Sequence, residues 1–254
     1  MEEHSMDLNV IILAAGKGTR MKSDLPKVLN PLDGRPMVSH VIENARQAGV
    51  RDIAVVIGYK GDMVKEAVGD GVSCYTQKEQ LGTADAVKSA SAFFEGTSTP
   101  VLILLGDAPL LSSKCIKDLF DHYTVNGADL CVLTASVKDP AAYGRIKRDS
   151  EGNFIGIVEK ADASDEELKI REINSGAMLF SPEALTYSLD RIQNNNTKGE
   201  YYLTDAVTIL LAGGKRVLAY DCGDENAVAG ANTREELAAL EEIYQSMKSS
   251  TQKN

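Results

Sequence analysis

One junction restricts the fold of this chain more than any other. Leu8–Ala15 is an apolar, β-branched run, and Gly16-Lys17-Gly18 follows it at once. A run without polar alternation reads as a strand buried on both faces, and such strands belong to parallel sheets covered by helices. The same grammar then repeats. Pro36 opens a helical pattern with Met37, Val38, Val41, Ile42, Ala45 and Ala48 on one face and Gly49 as a stop. Ile53–Ile57 predicts a second buried strand, Asp62–Val68 a short helix and Val72–Tyr75 a short strand. Ala84–Phe94 predicts a helix capped by Thr83, and Val101–Leu105 another buried strand. A helix follows with Ser112 or Ser113 as its cap and an apolar stripe from Cys115 to Tyr123, then a strand over Ala128–Ala135. Alternation of this kind predicts an α/β, Rossmann-like sheet, mixed but mostly parallel, with helices on both faces.

The second half changes style. Tyr143–Arg148 and Phe154–Glu159 flank a turn-rich Asp149–Asn153 and predict a hairpin. Asp162–Glu167 is an acidic loop, Glu172–Phe180 a strand, and Pro182 starts a helix. Asn194–Gly199 is a polar loop before a helix over Leu203–Ala212 and a strand over Arg216–Tyr220. The stretch from Asn232 to Lys248 reads as one helix with Leu237, Leu240, Tyr244 and Met247 along a face. No stretch has linker composition, and no 20–50-residue repeat is present. The expected organisation is one domain over residues 1–231, with a nucleotide half at about 8–110 and a second half at about 111–231, followed by a helix over 232–254.

Charge is unevenly spread. Between Gly16 and Lys27 stand Lys17, Arg20, Lys22 and Lys27 against Asp24 alone, a net +3 within twelve residues of a chain whose total is −10. The other 242 residues therefore carry −13. An acidic chain is a poor coat for nucleic acid or anionic lipid, but a cationic glycine loop inside one suits a polyphosphate. A dinucleotide loop is excluded because Met21 stands where a third small residue is needed. A P-loop is excluded because Thr19-Arg20, not Lys-Ser/Thr, follows Gly18. Standing alone, the loop also reads as a plain strand-to-helix turn. No apolar run exceeds the six residues Val10–Ala15, so no membrane span is expected. The acidic start Met1-Glu2-Glu3-His4 is unlike a secretory leader, and Cys74, Cys115, Cys131 and Cys222 show no C-x-x-C spacing. A reduced, cytoplasmic chain is expected.

Asp107 follows the strand Val101–Leu105 and should emerge at the same sheet edge as Gly16–Gly18, where open α/β sheets hold ligands. Before Pro109 it also reads as a turn aspartate. Asn232, at the head of the last helix, also reads as an N-cap, Gly82-Thr83 as a turn and cap, Gly144 as a turn, and Glu159 as a strand-end acid.

Leu13-Ala-Ala-Gly-Lys-Gly-Thr-Arg-Met21 with Leu25-Pro-Lys27 resembles the signature of the nucleoside triphosphate:sugar-1-phosphate nucleotidyltransferases. Further motifs follow in order: Gln77-Lys-Glu-Gln-Leu-Gly-Thr83, Leu105-Gly-Asp-Ala-Pro109, Tyr143-Gly-Arg-Ile146, Ile157-Val-Glu159, Glu172-Ile-Asn-Ser-Gly176, Glu200-Tyr-Tyr-Leu-Thr-Asp205 and Ala229-Gly-Ala-Asn232. The likeness spans Leu8 to Met247 and is strongest to the uridylyltransferase domain of the bacterial UDP-N-acetylglucosamine pyrophosphorylases.

The resemblance implies transfer of UMP from UTP to N-acetylglucosamine-1-phosphate, small-molecule partners only, and Mg2+ as cofactor. Another triphosphate or sugar-1-phosphate, or a silent nucleotide-sugar sensor, are the alternatives. It implies phosphate contacts from Arg20 and Lys27, whose fork of donors and point charge suit a polyphosphate. Magnesium would be held by Asp107 and Asn232, which offer the hard oxygens it takes. The nucleotide would be cradled by Leu13, Ala14, Ala15, Gly16, Gly18, Leu105 and Gly106 and read by Gln77, Gly82 and Thr83. An amide presents donor and acceptor together, so Gln77 unaided accepts uracil or, flipped, cytosine. Gly144, Glu159 and Asn174 would hold the sugar. Two positions depart from the family: Leu105 replaces its usual tyrosine and Asp85 its frequent histidine. The bifunctional relatives continue into a β-helix of hexapeptide repeats that acetylates and trimerises. No such repeat follows Met247, so no acetyl transfer is expected, and the sequence leaves the oligomeric state open.

Overall fold

The computed structural model describes residues 6–251, so the expectations for residues 1–5 and 252–254 lie outside them. The elements in chain order are β1 (Met6–Ala14), β2 (Pro31–Leu32), β3 (Arg35–Pro36), α1 (Met37–Gln47), β4 (Val50–Ile57), α2 (Gly61–Val68), β5 (Ser73–Thr76) and α3 (Thr83–Lys88). β6 (Val101–Leu105), α4 (Ser113–Asn126), β7 (Leu130–Ser136), β8 (Arg145–Arg148), β9 (Phe154–Val158) and β10 (Glu172–Phe180) follow, then α5 (Pro182–Leu189), α6 (Ala206–Ala212), β11 (Val217–Asp221) and α7 (Arg234–Thr251).

Seven strands run in the order β11-β7-β10-β6-β1-β4-β5. Six are mutually parallel, and β10 runs against both neighbours, β6 and β7. The mixed, mostly parallel sheet expected from the alternation is therefore the fold. The β8–β9 hairpin joins the sheet where Arg145 meets Ile173. Strand periodicity splits each buried run between two cores. Val10, Ile12, Val55, Leu102, Leu104 and Leu133 face the layer of α1, α2 and α4, while Ile11, Val56, Ile103 and Val132 face α3, α5 and α6. No helix among the described residues is long and apolar enough to cross a membrane.

A third cluster joins Met21, Leu32, Met37, Leu110, Ala231 and Leu240. Here α7 docks on the tight β2–β3 hairpin and on the turn that ends the glycine loop. Burying Leu240 alone is worth roughly 1.5–3 kcal/mol. Glu241 Oε2 accepts the Asp33 backbone N–H at 2.8 Å, and Arg234 Nε donates to the Met21 carbonyl at 2.9 Å. The hairpin turns on Asp33-Gly34, both at positive φ (+48° and +76°), the backbone a two-residue hairpin needs. Pro36 closes β3, and the helix begins at Met37.

One helix departs from the expectation. α3 ends at Lys88, with only a 3-10 turn over Ser91–Phe93 beyond it. Thr83 is not its cap: Gly82 holds that position at φ +123°, and Thr83 Oγ1 instead accepts the Leu203 N–H at 2.9 Å. A Cβ on Gly82 would lie 2.5 Å from the Tyr201 carbonyl oxygen, so the helix start is pinned to the segment before α6.

Candidate active site

The glycine loop leaves β1 beside the end of β6, where Leu13 pairs with Leu105. Gly106 N–H donates to the Leu13 carbonyl at 3.0 Å, and a Cβ on Gly106 would crowd that oxygen. Asp107 thus emerges at the carboxyl edge next to the loop. Gly18 adopts φ +65°, and a Cβ there would meet the Lys27 Cβ at 2.6 Å. Only a glycine lets the loop fold over Lys27 this closely.

Lys27 Nζ forms an ion pair with Asp107 and donates to Asn232 Oδ1 at 2.6 Å. Arg20 Nη2 donates to the same Asn232 oxygen at 3.0 Å. Asp107 does stand in the turn after β6, which the Ala108 N–H closes on the Leu105 carbonyl at 3.2 Å, and its side chain serves this network as well. The cap reading of Asn232 does not hold. α7 is capped by Thr233, whose Oγ1 accepts the Glu236 N–H at 3.1 Å, while Glu236 reaches back to the Asn232 N–H at 2.6 Å. That leaves the Asn232 side chain for the site. The backbone just before Asn232 is itself placed by Asp107, whose carbonyl accepts the Ala231 N–H at 3.1 Å.

A cavity of about 610 Å³ opens in front of this network. Leu13, Gly16, Arg20, Lys27, Thr83, Leu105, Asp107 and Asn232 line it, and so do Gly144, Glu159 and Asn174. The expected phosphate, metal and sugar residues therefore share one hollow. Ala14, Ala15, Gly18, Gln77, Gly82 and Gly106 do not line it. Gly18 lines a neighbouring hollow with Lys17, Lys22 and Arg234. Ala14 pairs within the sheet, and the Ala15 carbonyl accepts the Tyr59 N–H at 3.1 Å. Gln77 is buried beyond β5, donating to the Gly82 carbonyl at 3.1 Å and to Asp85 at 2.8 Å.

Among the residues expected to hold the sugar, Asn174 N–H donates to the Gly144 carbonyl at 2.9 Å. The Asn174 Oδ1 is taken by the Gly176 N–H at 3.0 Å, so its NH2 group is left to point elsewhere. A Cβ on Gly144 would lie 3.5 Å from both Glu159 carboxylate oxygens. Burial pushes the Glu159 carboxyl above its usual range, and the Thr204 hydroxyl, donating at 3.0 Å, partly opposes this. Asp205 is pushed up in the same way, by burial and then by Glu159.

Three contributors escaped the sequence reading. Thr204 lies inside a quoted motif, but nothing in its neighbours says that it meets Glu159, 45 positions earlier. Tyr143 accepts the Gly230 N–H at 2.9 Å and donates to the Val228 carbonyl at 3.3 Å, fixing the loop that carries Asn232. Arg145 is buried and donates to the carbonyls of Pro140, Ala141 and Tyr143, stapling the loop before Gly144. Leu105 packs on Gly176: a Cβ there would fall 2.4 Å from Leu105 Cδ1.

Cations from a glycine loop, a carboxylate and an amide oxygen thus meet at the carboxyl edge of the sheet's parallel strands, where open α/β sheets hold ligands. The family model for the MobA-like NTP transferase domain matches residues 10–242, and the chain belongs to that family. It is 43% identical over 238 residues to the bifunctional protein GlmU of Clostridioides difficile, covering 94% of this chain and 52% of that protein. It is 43% identical over 233 residues to the GlmU of Enterococcus faecalis, covering 92% and 51%. The chain thus spans about half the length of the curated relatives it matches. Two solved structures share the fold. One, from Bacillus anthracis, is assigned as a glucose-1-phosphate thymidylyltransferase in complex with a sucrose (TM-score 0.74, 23% identity, 93% of this chain and 94% of that one). The other is a UDP-glucose pyrophosphorylase complexed with UDP-glucose (TM-score 0.73, 20% identity, 94% and 98%).

Proposed function

We propose that this chain transfers UMP from UTP to N-acetylglucosamine-1-phosphate, giving UDP-N-acetylglucosamine and pyrophosphate. The observation that carries the reading is the shared hollow, which Arg20, Lys27, Asp107 and Asn232 line together with Gly144, Glu159 and Asn174. The choice of uridine and of the amino sugar rests on the resemblance of the motifs and on the GlmU relatives.

Both substrates are anions that must meet, so the chain's task is to neutralise and align them. A sugar-phosphate oxygen attacks the α-phosphorus as pyrophosphate leaves from the opposite side. Arg20 and Lys27 balance charge on the phosphates, Glu159 accepts hydrogen bonds from the sugar, and the Asn174 NH2 donates to it. Asp107 and Asn232 fit a divalent cation: two hard oxygens already converge on the ammonium of Lys27, leaving the remaining positions for water and phosphate. Magnesium, when bound there, would supply further neutralisation of the α- and β-phosphates. Pyrophosphate release is measured with magnesium, each of four nucleoside triphosphates and a panel of sugar-1-phosphates. Release with UTP and N-acetylglucosamine-1-phosphate is the expected result. Preference for another pair redirects the specificity, and binding of UDP-sugar without turnover of any pair supports a sensor instead.

A further inference from the structure

Arg20 rides on a 3-10 turn, Thr19–Met21, that is bounded at both ends by left-handed backbone. Gly18 stands before the turn at φ +65° and Lys22 after it at φ +48°. Glycine takes such a backbone freely, whereas a residue with a Cβ pays for it. A strained residue beside a functional side chain persists where its surroundings over-determine it. Within the turn the Lys22 N–H reaches the Thr19 carbonyl at a long 3.4 Å, and its side chain is exposed. The firmer hold comes from the far end of the chain. Arg234, at the start of α7, donates from Nε to the Met21 carbonyl at 2.9 Å and from Nη2 to the Lys22 carbonyl. Those two carbonyls belong to the peptide groups on either side of the Lys22 Cα. Their relative rotation is the φ and ψ of Lys22, so one rigid guanidinium fork fixes both angles.

Two residues before Arg234 stands Asn232, whose Oδ1 accepts Arg20 Nη2 at 3.0 Å. The segment that presents this oxygen therefore also holds the turn that presents the arginine. Met21, fully buried against Ala231 and Leu240, sets the depth of the turn and leaves the rotation at Lys22 to the fork. We infer that Arg234 is a positioning residue for Arg20: it holds the left-handed backbone at Lys22 and so aims the Arg20 guanidinium into the cavity. Arg234 and Lys22 line the neighbouring hollow and not the cavity itself, whereas Arg20 lines the cavity. Arg234 thus acts through Arg20. The role rests on the proposed reading of the cavity as a triphosphate site.

The test measures kcat and KM with magnesium, UTP and N-acetylglucosamine-1-phosphate in the unmodified chain, Arg234→Ala, Arg234→Lys, and Lys22→Gly with and without Arg234→Ala. Binding of UTP by calorimetry, without the sugar phosphate, runs alongside and needs no turnover. In Arg234→Ala, KM and Kd for UTP should rise about tenfold, the scale of one charged hydrogen bond misplaced. KM for the sugar phosphate should stay where it was. A role in folding alone would lower kcat through lost enzyme and leave both KM values. Arg234→Lys, a point charge that cannot grip both carbonyls, should fall between the two. Glycine takes the left-handed backbone unaided, so in the Lys22→Gly chain the same Arg234→Ala change should raise KM for UTP only about threefold or less. An equal rise in both backgrounds overturns the positioning role and puts Arg234 on the triphosphate itself. An unchanged KM and Kd for UTP in folded Arg234→Ala overturns any role. Absence of turnover in the unmodified chain overturns the proposed reaction instead, and the Kd values for UTP then decide the role of Arg234. Should Arg234→Ala fail to fold, Arg234→Lys in the two backgrounds carries the same comparison.

Discussion

Lys27 and Asp107 are ion-paired at the carboxyl edge of the sheet, on side chains only 17% and 15% exposed. The pair joins the segment after the glycine loop to the end of β6, and Asn232 closes it from the head of α7 at 2.6 Å from Lys27. Three distant parts of the chain thus meet on one ammonium group. The lysine holds both of the oxygens proposed for a metal.

Lys27→Ala should therefore cut kcat by about 10²–10³, the scale seen when one preorganised charge-stabilising donor is lost. Circular dichroism should show an intact fold, because the lysine side chain contributes little to any apolar core. Near-normal turnover in the folded variant would remove Lys27 from the phosphate site.

Asp107→Asn keeps shape and removes the charge. The magnesium concentration for half-maximal pyrophosphate release should rise at least about tenfold, since a neutral amide oxygen is a weaker partner for a hard dication. A titration that superimposes on the unmodified protein would take Asp107 out of the metal site.

Glu159 gives a pH signature. Its folded carboxyl is raised above the ordinary value of 4.5, burial being the main cause. Unfolded chains therefore ionise first, and stability falls as pH climbs from about that ordinary value through the raised one. Glu159→Gln has no such proton to lose. Its melting temperature, relative to the unmodified chain, should improve from pH 4 to pH 8, while KM for the sugar phosphate rises about tenfold from losing a charged acceptor. A melting difference that stays constant with pH contradicts the assignment.

Gly176→Ala should destabilise. The new Cβ would lie 2.4 Å from Leu105 Cδ1, and φ is +83°. Overpacking of this kind costs about 1–3 kcal/mol, roughly 2–12 °C in melting temperature for a chain of this size. Adding Leu105→Ala should recover the steric part and leave the backbone part.

Local signals carried much of this architecture. The runs Ile53–Ile57 and Val101–Leu105 are strands because both of their faces are buried, and that leaves an unbroken apolar signature. The Asp33-Gly34 hairpin was also written in the chain, yet its two-residue strands are too short to show alternation. Thr83 reads as a cap because the threonine-before-helix signal is local, whereas the partner that claims its hydroxyl, Leu203, lies 120 residues away. The site divides the same way. Lys27 and Asp107 stand in motifs that announce them, but Thr204, Tyr143 and Arg145 act on backbone and carboxylate groups brought near only by the fold.

In the proposed reaction a sugar-phosphate oxygen takes the nucleotidyl group. Incubating the chain with magnesium, UTP and N-acetylglucosamine-1-phosphate carrying 18O in its phosphate follows that oxygen directly. UDP-N-acetylglucosamine should retain the label, with unlabelled pyrophosphate in equal amount. UMP and pyrophosphate with no labelled nucleotide-sugar would contradict it.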